Sequence, residues 1–365
     1  MKILHLSSET SWRGGEQQIA YLVEGLEALG IEPIVACKPG AEFESYCERR
    51  DWRHYPLPMR SSMDFKSGWA LKKLCQDQSI DLIHAHSSHG HGTSFLSYLM
   101  GNRTPSLLTR RVDFELKDNC FARWKYTYPG IRKIACVSDA IREIVSNGTG
   151  QPEKCLTIYS AINPKKFAPH LGSQHLREKY GLADHITLIG NTSALVDHKD
   201  YHTFVDTAAQ YIREYDQDVR FFIIGQGERE AEIKDYVKQS QLDEVIIFTG
   251  FLENVEAVLP SLDIFFISSK TEGLGTSVID AFAAKVPVVA TRAGGIPELV
   301  RHGETGLSSP VGDAPALASH LHRYKEDATT RATIIEKAYE FSKDFSVEQM
   351  AQQYQALYES IIAES

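Results

Sequence analysis

Short apolar runs, each followed by a stretch of helical periodicity, recur along this chain in two separate series. The first comprises Ile3-Leu-His-Leu, Pro33-Ile-Val-Ala, Leu82-Ile-His-Ala-His, Ser106-Leu-Leu-Thr and Lys133-Ile-Ala-Cys-Val. The second comprises Ile186-Thr-Leu-Ile-Gly, Arg220-Phe-Phe-Ile-Ile-Gly, Val245-Ile-Ile-Phe-Thr-Gly, Ile264-Phe-Phe-Ile-Ser and Val286-Pro-Val-Val-Ala. Runs without polar alternation predict strands covered on both faces, and the intervening helices supply the cover. The pattern is that of an α/β chain with doubly wound parallel sheets. Two series in 365 residues predict two Rossmann-like domains. The polar stretch Asn163-Pro-Lys-Lys-Phe-Ala-Pro-His-Leu-Gly reads as the linker between them. We therefore expect one domain over residues 1–165 and another over 166–345, facing across a cleft where ligands sit. A last helix, Ser346 to Ile362, carries Met350, Tyr354, Leu357 and Ile361 on one stripe.

Composition narrows the function classes. No segment approaches the roughly 18–20 apolar residues of a membrane span, and the start of the chain reads as a strand rather than a signal peptide. The six cysteines include no Cys-x-x-Cys pair, which suits reduced thiols and a cytoplasmic setting. Residues 1–165 hold 21 basic and 18 acidic side chains, and the remainder holds 18 and 30. Such an acidic total lacks the basic footprint of a nucleic-acid binder, so no nucleic-acid partner is expected.

Chemistry is expected at strand ends. Gly14 and Gly15 follow the first strand and open a helix over Glu16 to Leu29, where backbone N–H groups can approach a phosphate; a plain turn is the competing reading. No Gly-x-Gly-x-x-Gly occurs there, which disfavours a dinucleotide cofactor. The run Asp81 to Gly92 ends a strand in four histidines without regular metal-ligand spacing; His84 or His86 reads as a polar group facing the cleft, not as zinc ligand. Thr109-Arg110-Arg111-Val-Asp113 ends another strand, where two arginines can clamp a phosphate or carboxylate, or simply make surface salt bridges. Phe121-Ala-Arg-Trp-Lys-Tyr-Thr-Tyr mixes cations and aromatics, which suits a half-buried helix or a peripheral membrane contact. In the second series, Lys199 can aim an ammonium at a diphosphate.

The most specific segment is Ser268 to Glu298. Strand Ile264-Phe-Phe-Ile-Ser leads into Glu272-Gly-Leu-Gly-Thr-Ser, a helix over Val278 to Ala284, a strand, and Gly294-Gly295-Ile-Pro-Glu298. Loop 273–277 can present successive N–H groups at a helix N-terminus, a cradle for diphosphate. Asp280 is expected in the first turn of that helix, so that Glu272 and Asp280 bind separate hydroxyl-bearing parts of one ligand.

At these residues the chain resembles the family-four retaining glycosyltransferases of the GT-B fold. Ser269-Lys-Thr-Glu272-Gly-Leu-Gly275, Asp280-Ala-Phe-Ala-Ala-Lys-Val-Pro287-Val-Val-Ala-Thr and Gly294-Gly295-Ile-Pro-Glu298 match that family's ordered pattern, and the resemblance covers nearly the whole chain. It implies that Glu272 bonds hydroxyls of a donor sugar, Asp280 holds the ribose, the backbone of Gly275, Thr276 and Ser277 holds the diphosphate, and Lys199 neutralises it. Gly14, Gly15, Asn191, Gly225, Gly250, Phe251, Gly273 and Leu274 fall at donor-binding positions. Three departures stand out: Asn191 replaces the family's arginine, Arg111 or Asp113 stands near the place of its usual histidine, and Lys285 replaces a glycine. His86, Arg110 and Ser138 fall on the acceptor side, and the last helix (346–365) is implied to cross back onto the first domain.

The resemblance implies a retaining hexosyltransferase that moves sugar from a UDP- or GDP-sugar to a glycan or lipid-linked acceptor in cell-surface polysaccharide or lipopolysaccharide biosynthesis. A diphosphate oxygen can take the acceptor proton on the face the leaving group vacates, so retention needs no protein nucleophile; Glu272 as a nucleophile ranks lower. A lysine and a helix N-terminus can do a metal's work, so no metal and no cofactor are expected. The competing readings are a nucleotide-sugar epimerase of the same architecture and a non-catalytic nucleotide-binding module.

Overall fold

The computed structural model describes residues 1–116, 119–252 and 254–364. It divides the chain into two compact units, Met1–Ala161 together with the chain from Val347 onward, and Ile162–Ser346. The stretch read as a linker is built into the second unit, where its prolines occupy the first or second position of two short 3-10 turns, Pro164–Lys166 and Ala168–His170.

The first unit holds strands β1 (Ile3–Ser7), β2 (Ile34–Cys37), β3 (Arg53–Pro56), β4 (Leu82–Ala85), β5 (Ser106–Arg110), β6 (Ile131–Cys136) and β7 (Cys155–Thr157). They pair in parallel in the order β3-β2-β1-β4-β5-β6-β7. The second unit holds β8 (Thr187–Thr192), β9 (Val219–Ile224), β10 (Ile246–Gly250), β11 (Ile264–Ile267), β12 (Val288–Thr291) and β13 (Leu307–Ser309), all parallel, in the order β10-β9-β8-β11-β12-β13. In each sheet the winding direction reverses once, between β1 and β4 and between β8 and β11. Helices leave opposite faces on either side of such a reversal, which opens a crevice at the carboxyl ends of those strands.

Each sheet is cored as its sequence dictates. In the first unit Ile3, Leu82 and Leu107 lie under Leu22 and Leu26 of the helix Gly14–Ala28 and under Met350, Tyr354, Tyr358 and Ile361 of the helix Val347–Ala363. Those two helices touch closely: a β-carbon on Gly25 would lie 2.6 Å from Cβ of Ala351. In the second unit Phe204, Phe221, Phe266, Tyr211 and Tyr324 pack with Leu317 and Leu321. Four of the six cysteines are buried, Cys155 is half-buried and Cys120 is exposed. Among the described residues no helix is long and apolar enough to cross a membrane.

Candidate functional site

The second unit's crevice is assembled by loops that hold one another. The Ser268 hydroxyl donates to the carbonyls of Lys199 (3.1 Å) and Asp200 (3.0 Å), and the Lys270 amide donates to the His198 carbonyl at 2.8 Å. Thr291, at the end of β12, donates its hydroxyl to the Ser269 carbonyl at 2.6 Å. This lacing brings together Lys199 and Glu272, whose Nζ and Oε1 lie 2.5 Å apart. The Ser269 hydroxyl donates to the same oxygen at 2.8 Å. The pair is largely desolvated, with 16% of the lysine and 9% of the glutamate side chain exposed, so charge counts for more here than on the surface.

Two glycines fix where Glu272 sits. Gly294 has φ +51°, and a β-carbon on it would lie 2.0 Å from the Glu272 carbonyl oxygen; the Gly295 amide donates to that oxygen at 2.9 Å. Gly275, at φ +90°, turns the chain into the helix Thr276–Ala283. No side chain caps that helix, so the first-turn N–H groups of Thr276 and Ser277 are arranged for an anion. The helix starts two residues earlier than the apolar pattern predicts, because Thr276 and Ser277 are polar residues in its first turn. Asp280 therefore stands in the second turn, not the first. Burial pushes its carboxyl up to about 7; Lys166 pulls it back and Glu256 pushes it further.

The other positions expected on the donor side lie at the ends of β8, β9 and β10 and in the loop after β11. Asn191, near the end of β8, is wholly buried, and neither end of its carboxamide has a hydrogen-bond partner among the described residues. Gly225 (φ +146°) must lack a side chain, since a β-carbon would lie 2.1 Å from the Ser193 carbonyl; its amide donates to the carbonyl of Gly250 (φ +71°) at 2.9 Å. Leu274 is buried, Gly273 is half-buried, and Phe251 is exposed. Asp216-Gln-Asp218 has the spacing of a metal-binding Asp-x-Asp, but it precedes β9, at the opposite end of the strands, and Asp216 is held by Lys325.

In the first unit, one sheet face changes character along the strands. Ile3, Leu82 and Leu107 are followed on the same face by His5, His84 and Thr109, then by Ser7, His86 and Arg111. Of the two histidines offered as the polar group facing the cleft, His84 is enclosed in the sheet's cover. It is fully buried between the Tyr358 hydroxyl (2.7 Å) and the Thr109 hydroxyl (2.6 Å), and Thr109 also meets the Tyr354 hydroxyl at 3.1 Å. His86, also buried, lies with Nε2 3.0 Å from His5 Nδ1 and Nδ1 3.3 Å from Arg111 Nη2. Burial holds all three imidazoles neutral, His5 down to about 3. His5, His84 and His86 are close enough to hold a metal ion. Both nitrogens of His84 and of His86 already have partners, no thiolate or carboxylate joins the group, and the neighbouring guanidinium opposes a cation, so the fit is poor.

The remaining first-unit candidates separate. Gly14 and Gly15 begin the first helix, with open space where a β-carbon would be. Arg110 turns away from Arg111 and donates to the Tyr126 hydroxyl (2.8 Å) and the Phe114 carbonyl (2.5 Å). Ser138 caps the helix Asp139–Thr149, accepting from the Ile141 amide at 3.2 Å. Asp113 is half-buried beyond β5. The motif reading missed His5 and Ser7, although their i, i+2 spacing from Ile3 puts them on one strand face.

Two parallel-sheet Rossmann-like units with this loop architecture define the GT-B class of glycosyltransferases. Residues 12–166 match the model "Glycosyltransferase Family 4" and residues 173–341 the model "Glycosyl transferases group 1". The chain belongs to this family of glycosyltransferases. It is 24% identical over 300 residues to N-acetyl-alpha-D-glucosaminyl L-malate synthase of Bacillus anthracis, covering 80% of this chain and 78% of that protein. It is 27% identical over 145 residues to the lipopolysaccharide core biosynthesis glycosyltransferase LpsE of Rhizobium meliloti, covering 40% of this chain and 41% of that protein. Its fold matches Anabaena Alr3699/HepE, solved with UDP and glucose, with TM-score 0.84 at 20% identity over 99% of this chain and 100% of the other.

Proposed function

We propose that this glycosyltransferase transfers a hexose, with retention of configuration and without a metal ion, from a UDP- or GDP-sugar to a glycan or lipid-linked acceptor in cell-surface polysaccharide or lipopolysaccharide biosynthesis. The observation that carries the reading is the desolvated Lys199–Glu272 pair beside the uncapped helix Thr276–Ala283. Departure of a nucleoside diphosphate builds negative charge on its terminal phosphate. First-turn amides and an ammonium are donors already in place for that charge. Diphosphate entry would draw the Lys199 ammonium toward it and free Glu272 to accept from sugar hydroxyls. Asp280 would take the ribose hydroxyls, and the unpartnered carboxamide of Asn191 would gain a partner. The leaving phosphate oxygen would take the acceptor proton on the face it vacates. The names of LpsE and of HepE's bound UDP support the polysaccharide setting and a uridine donor.

A peripheral membrane contact belongs to the same proposal. Phe114, Phe121 and Trp124 are exposed on and beside the helix Cys120–Thr127, next to Arg123 and Lys125.

The test is a thermal-shift screen of UDP-, GDP- and ADP-sugars followed by a transfer assay with extracted glycans in EDTA. One donor class should raise the melting temperature, and transfer should persist in chelator. Glu272→Ala should lower transfer by about two orders of magnitude or more. Rapid donor epimerisation without acceptor, or unchanged glycan products from Glu272→Ala, would sink the reading.

A further inference from the structure

We infer that Ser7 and Arg111, the latter held in place by His86, form an anion subsite in the first unit, so that the acceptor carries a carboxylate or phosphate beside its reacting hydroxyl. The inference rests on the transferase reading above and specifies its acceptor.

The three residues end the polar face of the first sheet, at the carboxyl ends of β1, β4 and β5 where the winding reverses. A guanidinium only donates, so its contact with His86 requires a bare Nδ1. His86 then carries its proton on Nε2 and donates to His5 Nδ1. His86 and His5 are thereby fixed as neutral, burial keeps His84 neutral as well, and Arg111 is the one permanent charge of that row.

That charge is unmatched. Arg111 makes no ion pair with any described residue, and its buried Nε has no partner. The buried carboxyl of Glu16 attracts it without making an ion pair. Ser7 is wholly buried, and its Oγ also lacks a partner among the described residues. A buried guanidinium nitrogen without a partner is costly, and a partly satisfied polar cluster is worse than an apolar one. Arg111 lies within electrostatic reach of Glu16 in the first turn of the helix Gly14–Ala28, whose terminus Arg13 does not cap with its side chain. Gly14 and Gly15 leave open space in front of it. A fork of N–H donors, a hydroxyl and a helix N-terminus together match a carboxylate or phosphate group.

The two sources share this chemistry and are separated by probe. The full chain, saturated with UDP to occupy the donor side, is titrated with inorganic phosphate and with malonate at fixed ionic strength, and its melting temperature is followed. At least one anion should stabilise it: phosphate alone marks a phosphorylated acceptor, malonate alone an acidic sugar or hydroxy acid. Arg111→Gln should weaken that response about tenfold or more while UDP affinity changes by less than about twofold. Ser7→Ala, a milder change, should weaken it roughly threefold. No stabilisation of the wild type by either anion would overturn the inference, as would wild-type responses from both variants. If no nucleotide stabilises the chain yet the Arg111-dependent anion response is seen, the donor reading fails and the anion subsite stands.

Discussion

At the residue scale, the proposed donor chemistry rests on a pair that is 73 positions apart in sequence. Lys199 and Glu272 were each legible, one as a loop lysine beside a helix start and the other as the head of a glycine-rich string. Their direct ion pair was not, because it depends on loop lacing through Ser268 and Thr291. Lys199→Ala should therefore weaken nucleoside diphosphate binding about tenfold or more while nucleoside binding changes little, as isothermal titration will show. Equal losses for both ligands would remove its phosphate role. Asp280 makes a second prediction, with a definite sign. Its folded carboxyl titrates near 7 and its unfolded one near the ordinary 3.8. Between about pH 4 and 7 the native state holds a proton that the unfolded state has lost, so stability falls as pH rises through that window. Asp280→Asn removes this dependence. Its melting temperature should exceed that of the wild type at pH 8, and the gap should close toward pH 4. A constant gap across that range would contradict the assignment.

At the element scale, the interior strands were readable because burial on both faces leaves them uniformly apolar. The strands missed were β3, β7 and β13, all at or near sheet edges and three or four residues long. Arg53-His-Tyr-Pro is a polar edge strand without a hydrophobic signature, which is how edges are kept from pairing further. The Gly294–Gly295 turn was legible as a motif, but its steric cause was not. A methyl at 294 meets the Glu272 carbonyl in a backbone region that disfavours side chains. Gly294→Ala should thus destabilise the protein by about 1–3 kcal/mol. It should also lower donor affinity by displacing Glu272. Chemical denaturation with parallel donor titration measures both, and a loss of stability without loss of affinity would disconnect the turn from the site.

At the scale of the whole molecule, the duplicated α/β pattern made both sheets readable, and the family resemblance, not the helix's own stripe, put the last helix on the first unit, where it lies. Met350, Tyr354, Leu357 and Ile361 marked an apolar stripe, yet the same stripe also presents the Tyr354 and Tyr358 hydroxyls to Thr109 and His84. A helical wheel cannot show that polar function, since the partners are 245 and 274 residues away. Each unit's internal core leads to a prediction about fragments. Residues 162–346 expressed alone should melt cooperatively and retain nucleotide binding. A chain ending at 346 should lose the first unit's transition, because Leu22, Leu26, His84 and Thr109 would be uncovered. Calorimetry on both distinguishes the outcomes, and a first unit that melts normally without residues 347–365 would refute the account.

Cys120 gives this molecule a handle that chemistry can use directly. It opens the same short helix that exposes Phe121 and Trp124, whereas most of the other thiols are sealed in the interior. A maleimide dye should couple there first, with no cysteine removed or added. An environment-sensitive fluorophore at that position would shift to the blue on anionic vesicles if the aromatic face enters the headgroup layer, and stay unchanged if it does not.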